Sequence, residues 1–243
     1  MVHEKFTGHL HPVTHISRRI VGILMDLGFE VALGPELEED HYNFKALNFP
    51  DDHPARDMQD TFWLKDFPGR LLRTQTSNVQ VRYMEGHEPP LKIVVPGKVF
   101  RNEATDATHE MQFHQIEGLV VGKDISLANL KFTLDAFIKK MFGEDVETRF
   151  RPGYFPFVEP GIEVDMKRPE KGNSKKSNEW IEILGAGMVH PNVLENAGVD
   201  PKIWQGFAFG VGVDRIAMMK FGLSDVRDLY SGDLRVVNQF PGI

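Results

Sequence analysis

The stretch that decides the fold runs from Lys98 to Val121 and reads KVFRNEATDATHEMQFHQIEGLVV. Two alternating runs flank the polar segment ATDATHE, which is the pattern of an antiparallel hairpin with a long loop. Alternation puts Arg101 and Glu103 on one face of the first strand. It puts Phe113, Gln115 and Glu117 on one face of the second. Polar groups on a buried sheet face cost free energy unless they are paired or bind something. Here an arginine, an amide, an aromatic ring and two carboxylates are interleaved, as a polar ligand with a flat ring would require.

Further along, Gly206 to Arg215 reads GFAFGVGVDR. Alternation separates these residues by size. Phe207, Phe209, Val211 and Val213 fall on one face; Gly206, Ala208, Gly210 and Gly212 fall on the other. Such a strand fills a core with its bulky side and lets something approach the backbone on its bare side. The run leads into RIAMMKFG, a short helix expected from Arg215. A guanidinium at a helix N-terminus suits an anion. Neither stretch is a standard phosphate loop. Gly97-Lys98 and Gly122-Lys123 lack the upstream glycine and the following Ser or Thr, and GVGVDR lacks the third glycine of a dinucleotide fingerprint.

Outward from these pieces, PVTHISRRIVGILMDLG has apolar residues at Val13, Ile16, Ile20, Ile23, Leu24 and Leu27, a helical period. Pro12 suits its start and Gly28 its end. FEVAL reads as a strand, and Gly34-Pro35 as a turn. A second helix is expected near Asp124 to Phe142, with Asp124 and Ser126 as candidate caps. Most of the remainder alternates with period two in short runs that often connect without a helix. The expectation is an α+β fold, an antiparallel sheet with helices on one side, in a single domain over residues 1–243. Lys167 to Glu179 reads as an exposed hairpin tip between GIEVDM and EWIEILG.

The 243 residues include 28 Lys and Arg against 35 Asp and Glu, a net charge of −7. A protein that lives on nucleic-acid phosphates is usually basic, so contact with nucleic acid would be local or shared with another chain. There is no cysteine, which excludes thiolate chemistry, iron–sulfur clusters and disulfides. No apolar run approaches a membrane span, and Met1 to Phe6 has no signal-peptide core. These features fit a cytoplasmic protein. His11 and His15 have the spacing of a helical metal pair, with His3 and His9 nearby, but no carboxylate completes a recognisable site.

VFRNE resembles motif 2 of the class II aminoacyl-tRNA synthetases, and HEMQF the His-x-x-x-Phe that closes the motif 2 loop. GVGVDR with its helix resembles motif 3, with Asp214 where that family more often has Glu. Gly34-Pro35 resembles motif 1. LLRTQTS, FHQIEGLVV, RFRPGYFPFVEP, GAGMVHPNV and GFAFG resemble the catalytic module of phenylalanyl-tRNA synthetase alpha subunits. The resemblance covers nearly the whole chain, and the chain is expected to lack the coiled-coil arm of that subunit.

The resemblance implies activation of L-phenylalanine by ATP to phenylalanyl-adenylate, then transfer to tRNA(Phe). Arg101 resembles the arginine on the α-phosphate and the substrate carboxylate, and Arg215 the arginine on the γ-phosphate. Glu103 and Phe113 resemble the adenine contacts, His109 a second phosphate contact, and Gly212 belongs to the same ATP site. Mg2+ would bridge the phosphates, with Glu182 as its candidate ligand. On the amino-acid side, Gln115 and Glu117, with Ser77 and Gln75, resemble the ammonium contacts. Phe155 and Phe157 resemble the rings that pack on the substrate phenyl group, with Ala208 at the far end of the pocket and Gly210 beside it. Motif 1 implies that Pro12 to Pro35 meets another chain, either a beta subunit or a second copy. Two other readings compete: an amino-acid sensor without catalysis, and a ligase that passes its adenylate to another acceptor.

Overall fold

The computed structural model describes residues 10–57, 60–167 and 179–240. Helix α1 spans Pro12–Asp26 and buries Ile16, Ile20, Ile23 and Leu24 on one stripe. Pro12 opens it, the His11 ring nitrogen accepts from the Val13 N–H at 3.3 Å as a cap, and Gly28 follows with φ +88°. The histidine spacing noted in the sequence thus serves the helix start at His11; His3 and His9 lie outside the described residues. Next come β1 (Glu30–Val31), β2 (Leu37–Glu39), α2 (Asp40–Asn43), β3 (Arg70–Leu72), α3 (Ser77–Gly86), β4 (Leu91–Phe100) and β5 (Gln112–Gly122). Then follow α4 (Leu127–Phe142), β6 (Thr148–Phe155), β7 (Val158–Lys167), β8 (Trp180–Val189), α5 (Pro191–Asn196), β9 (Gln205–Gly212), α6 (Val213–Phe221) and α7 (Leu234–Val237).

Seven strands form one sheet in the order β1-β4-β5-β9-β8-β7-β6. Among the described residues only the β1–β4 pair is parallel. This is the mostly antiparallel α+β architecture expected from short alternating runs. One sheet face packs against α1, α4 and α6, burying Ile20, Leu24, Leu134, Phe137 and Ile216 with Ile116, Phe207 and Phe209. Each such side chain contributes roughly 1.5–3 kcal/mol by leaving water. The opposite face packs against α3, α5 and the Ala46–Leu47 turn. Helices therefore lie on both faces rather than one, with the long α1 and α4 together on the first. No described helix is long and apolar enough to cross a membrane.

Four boundaries differ from the sequence reading. FEVAL forms only the two-residue β1, Glu30–Val31, paired with Ile93 and Val94; the Ala32 N–H still bonds the Val94 carbonyl at 2.9 Å before the chain leaves β4 at Gly34-Pro35. Helix α4 starts at Leu127, after a capping box between Ser126 and Asn129, so Ser126 and not Asp124 is the cap. Helix α6 starts at Val213, two residues before Arg215. Strand β4 stops at Phe100, so Arg101 and Glu103 sit in the loop beyond it, although the Arg101 N–H still bonds the Met111 carbonyl at 2.9 Å. The β7–β8 pair begins at Lys167↔Trp180 as a hairpin should; most of its tip lies outside the described residues.

Candidate active site

The two informative stretches are neighbours in the sheet. Antiparallel register places Gly97, Gln115 and Gly212 in one row. Glu117 shares the next row with Gly210, Gly185, Glu163 and Arg151. Leu119, Ala208, Gly187, Gly161 and Gly153 form a third. Cross-strand partners point to the same side. The polar ladder of β5 and the bare face of β9 therefore look out over one surface, the one that packs against α3 and α5. A Cβ at Gly210 would lie 3.0 Å from Glu117 Cγ and 3.1 Å from Gln115 Nε2, so these two side chains lie across a position only glycine leaves free.

Arg101 leaves the end of β4 and lies over the Phe113 ring, 5.0 Å from its centroid. With Glu103, Asp60, Ala55, Thr74, Gln75, Phe44 and Phe49 it lines a cleft of about 310 Å³. That cleft therefore joins three of the sequence-predicted residues, Arg101, Glu103 and Gln75. Phe44, Phe49 and Asp60 were missed. They come from the irregular stretch 44–63, where no period betrays a face, and Arg56 joins them, its guanidinium 5.2 Å from the Phe44 centroid.

Glu117 is 4% exposed, and its carboxylate accepts from Thr76 N–H (3.0 Å), Ser77 Oγ (2.5 Å) and Gln80 Nε2 (2.9 Å). Burial pushes its pKa above the usual carboxylate range, and the bonds from Ser77 and Thr76 pull it back. The carboxylate thus caps α3 from across the fold. Ser77 and Glu117, both expected beside the substrate ammonium, form one bonded unit. Gln115 differs: its Oε1 is buried and has no donor. An orphaned acceptor on this surface is the mark of a position awaiting a donor. Gln75 donates its amide to the Asn43 carbonyl at 2.9 Å.

Arg215 is exposed in the first turn of α6, and its Cβ lies 3.9 Å from where a Gly212 Cβ would stand. The register puts Gly212 opposite Gln115, and the Asp214 carboxylate holds the His114 N–H at 2.7 Å. Arg101 and Arg215 therefore flank the same end of β5, on the β4 side and the β9 side. Two strand spacings separate those sides by roughly 10 Å at the backbone, within joint reach of two arginines. His109 is exposed in the loop between β4 and β5, its ring 3.0 Å from Asp106, which also accepts from the Thr108 and His109 N–H groups. Those bonds hold the Asp106 carboxyl well below the usual range.

Phe155 and Phe157 stand 5.9 Å apart at 30°, and Phe157 meets Phe49 at 5.9 Å. Phe49 in turn meets Phe44, so a chain of rings runs from the cleft wall to Gly185, over which Phe155 lies. Ala208 is buried in the row beside Gly187. Glu182 is exposed on β8, paired in register with Asp165, whose oxygens are already held by Arg149 (2.7 Å) and Arg151 (2.6 and 2.9 Å). Among the described residues no three His, Asp or Glu side chains form a metal group.

Residues 2–240 match the family described as tRNA synthetases class II core domain (F). The chain is 55% identical over 240 residues to the phenylalanine–tRNA ligase alpha subunits of Bacillus cytotoxicus, Bacillus cereus and Bacillus anthracis. The matched stretch is 96% of this chain and 69% of each relative. This chain belongs to the phenylalanine–tRNA ligase alpha-subunit family. The fold agrees: the pyrrolysyl-tRNA synthetase of Desulfitobacterium hafniense superposes with a TM-score of 0.67 at 17% identity, over 89% of this chain and 72% of that one. Membership in the alpha-subunit family makes the polar ladder of β5 and the bare face of β9 parts of a class II synthetase core, on the surface where both arginine-bearing elements end.

Proposed function

We propose that the chain activates L-phenylalanine with ATP, giving phenylalanyl-adenylate and pyrophosphate, and passes the phenylalanyl group to tRNA(Phe). The reading rests on family membership. The single structural observation that carries it is the unpartnered Gln115 Oε1, set on one sheet face between the two elements that bear Arg101 and Arg215.

In the reaction a carboxylate oxygen of phenylalanine attacks the α-phosphorus of ATP as the bond to pyrophosphate breaks. The nucleophile is already ionised at neutral pH, so no base is needed. The enzyme must instead bring two anions together and hold the developing charge. Arg101 holds the α-phosphate and the substrate carboxylate; Arg215 holds the γ-phosphate; His109 adds a contact from the loop. Phe113 stacks on adenine, Glu103 accepts from its amino group, and Gly212 leaves the backbone open beside them. The substrate ammonium donates to Gln115, with the Ser77–Glu117 unit as the negative charge beneath and Gln75 at the edge. The benzyl group lies against Phe155 and Phe157, with Ala208 at its far end and Gly210 as floor.

Mg2+ keeps most of its waters and is commonly held by substrate phosphates plus one or two carboxylates. A single exposed carboxylate at Glu182 fits an ion that enters with the triphosphate, and the ion would neutralise phosphate charge there. Val31 (44% exposed) and Leu33 (75%) stand at and just beyond β1, and Leu37 (40%) on β2, which supports a partner chain on the motif 1 side. The relatives are named alpha subunits, so the partner is a beta subunit rather than a second copy. The setting is the cytoplasm.

Phenylalanine-dependent exchange of pyrophosphate into ATP tests the reading. Exchange is expected with phenylalanine and is expected to vanish in Arg101→Ala; wild-type protein without exchange overturns it. A sensor of phenylalanine has no use for both arginines and Phe113, so the non-catalytic reading is not favoured.

A further inference from the structure

The segment from Asp225 to Tyr230 touches both arginine-bearing elements, although no substrate contact is assigned to it. Its 3-10 turn, Val226–Leu229, buries Val226 and Leu229 in the core shared with α1 and α6. From there the Val226 N–H donates to the Ala107 carbonyl at 2.9 Å. Ala107 lies in the loop that begins at Arg101 and carries His109. Four residues later, the Tyr230 hydroxyl donates to the carboxylate of Asp214, the residue immediately before Arg215. The other Asp214 oxygen accepts from the His114 N–H at 2.7 Å, next to Phe113. The Tyr230 ring lies parallel to the His114 ring, 6° apart in plane, with the hydroxyl 3.2 Å from His114 Nδ1. Asp214 is 4% exposed, so its carboxylate depends on these donors.

We propose that this segment is a brace that holds the motif 2 loop and the start of α6 in mutual register, with Tyr230 as a positioning residue acting through Asp214 on Arg215. The proposal rests on the adenylation reading above. Two flexible arginines can grip one triphosphate only if their backbones are already placed, because ordering them at binding costs free energy that the complex would otherwise keep. Tyr230 carries no ATP or phenylalanine contact in the reading above. Its loss therefore acts on the nucleotide side alone. The phenylalanine side is set by the Gln115 and Glu117 face of β5, by α3 and by the β6–β7 turn; the brace meets β5 at His114, whose side chain points to the opposite sheet face.

The test is Tyr230→Phe in the full enzyme with its beta subunit, read by pyrophosphate exchange. The KM for ATP is expected to rise about tenfold, the loss of one hydrogen bond to a charged group. The KM for phenylalanine should stay within about twofold of wild type by the separation just argued. Combined with Arg215→Ala, the tyrosine change should add little, since both act through one cation. Hydrogen exchange provides a readout that does not depend on activity: amides at 102–110 and at 213–216 should exchange faster together in Tyr230→Phe. Equal rises in both KM values, additive effects with Arg215→Ala, or faster exchange at 213–216 alone would overturn the brace. Wild-type enzyme without pyrophosphate exchange would instead count against the adenylation reading, and the hydrogen-exchange outcome would still decide the brace.

Discussion

Gln115 and Glu117 stand two residues apart on the same face of β5, and their environments are opposite. Three donors reach the Glu117 carboxylate, while Gln115 Oε1 has none. In the proposed reading that difference makes Gln115 the direct ammonium contact. Gln115→Leu should therefore raise the KM for phenylalanine roughly 10–100-fold in the exchange assay, the range for losing one hydrogen bond to a charged group, and leave the KM for ATP nearly unchanged. In the proposed reading Ala208, buried opposite Gly187, ends the ring pocket, so Ala208→Gly should let para-chlorophenylalanine support exchange. Selection by a hydrophobic pocket amounts to only about 10–200-fold per methylene, so the removal of one methyl is enough to be seen. Exchange no better than wild type with that substrate would contradict the pocket assignment. At this scale the sequence is informative about faces: the parity of Phe113, Gln115 and Glu117, and of the β9 glycines, follows from alternation alone. It is silent about which carboxylate is already occupied. The Ser77–Glu117 bond joins residues 40 apart in the chain, and no local period encodes that.

Between elements, the motif 1 turn is held by Arg73. This buried guanidinium donates to the carbonyls of Lys98 (2.8 Å), Gly34 (3.1 Å) and Pro35 (3.3 Å), tying the turn to the end of β4. A Cβ at Gly97 would stand 2.1 Å from Arg73 Nη2. Gly97→Ala should destabilise the fold by roughly 1–3 kcal/mol, as overpacking does, and a denaturant midpoint measures it. A second tie joins β6 to β7, where Asp165 lies buried beneath Arg149 and Arg151. Hydrogen bonds from Arg151 and then Arg149 hold its carboxyl below the ordinary value. A carboxylate depressed in the folded state stabilises fully above its unfolded pKa of about 3.8 and loses that contribution as pH falls through the lower folded value. Asp165→Asn should therefore lower stability at neutral pH and make the decline below about pH 4 shallower. An unchanged acid limb, followed by circular dichroism, would contradict the tie. The long elements were legible because α1 and α4 repeat over several turns. Element ends were less so: β4 stops before Arg101 because the polar ATDATHE loop pulls the chain away from β5, and FEVAL pairs for only two residues because the chain leaves β4 at Gly34-Pro35, where Pro35 has no N–H to continue the ladder.

For the whole molecule, a net charge of −7 leaves little general attraction for tRNA phosphates. Charging of tRNA(Phe) should thus require the beta subunit, while adenylate formation depends on the surface described above. Aminoacylation assays with and without that subunit check this, and full charging by the chain alone would contradict it. Composition already pointed to nucleic-acid contact that is local or shared with another chain and excluded cysteine chemistry, while the missing glycine pattern excluded a P-loop. The cleft itself was not legible, because Phe44, Phe49 and Asp60 come from an irregular stretch brought to Arg101 only by tertiary packing. The central claim is that the arginines flanking β5 grip one triphosphate beside a benzyl-sized hollow. A crystal structure with ATP and a non-reactive phenylalanine analogue tests it most directly. The account predicts both guanidinium groups within about 3 Å of oxygens of the same triphosphate, and the ammonium on Gln115 Oε1. Arg215 turned away from the nucleotide, or the analogue's ring lodged elsewhere than against Phe155 and Phe157, would contradict it.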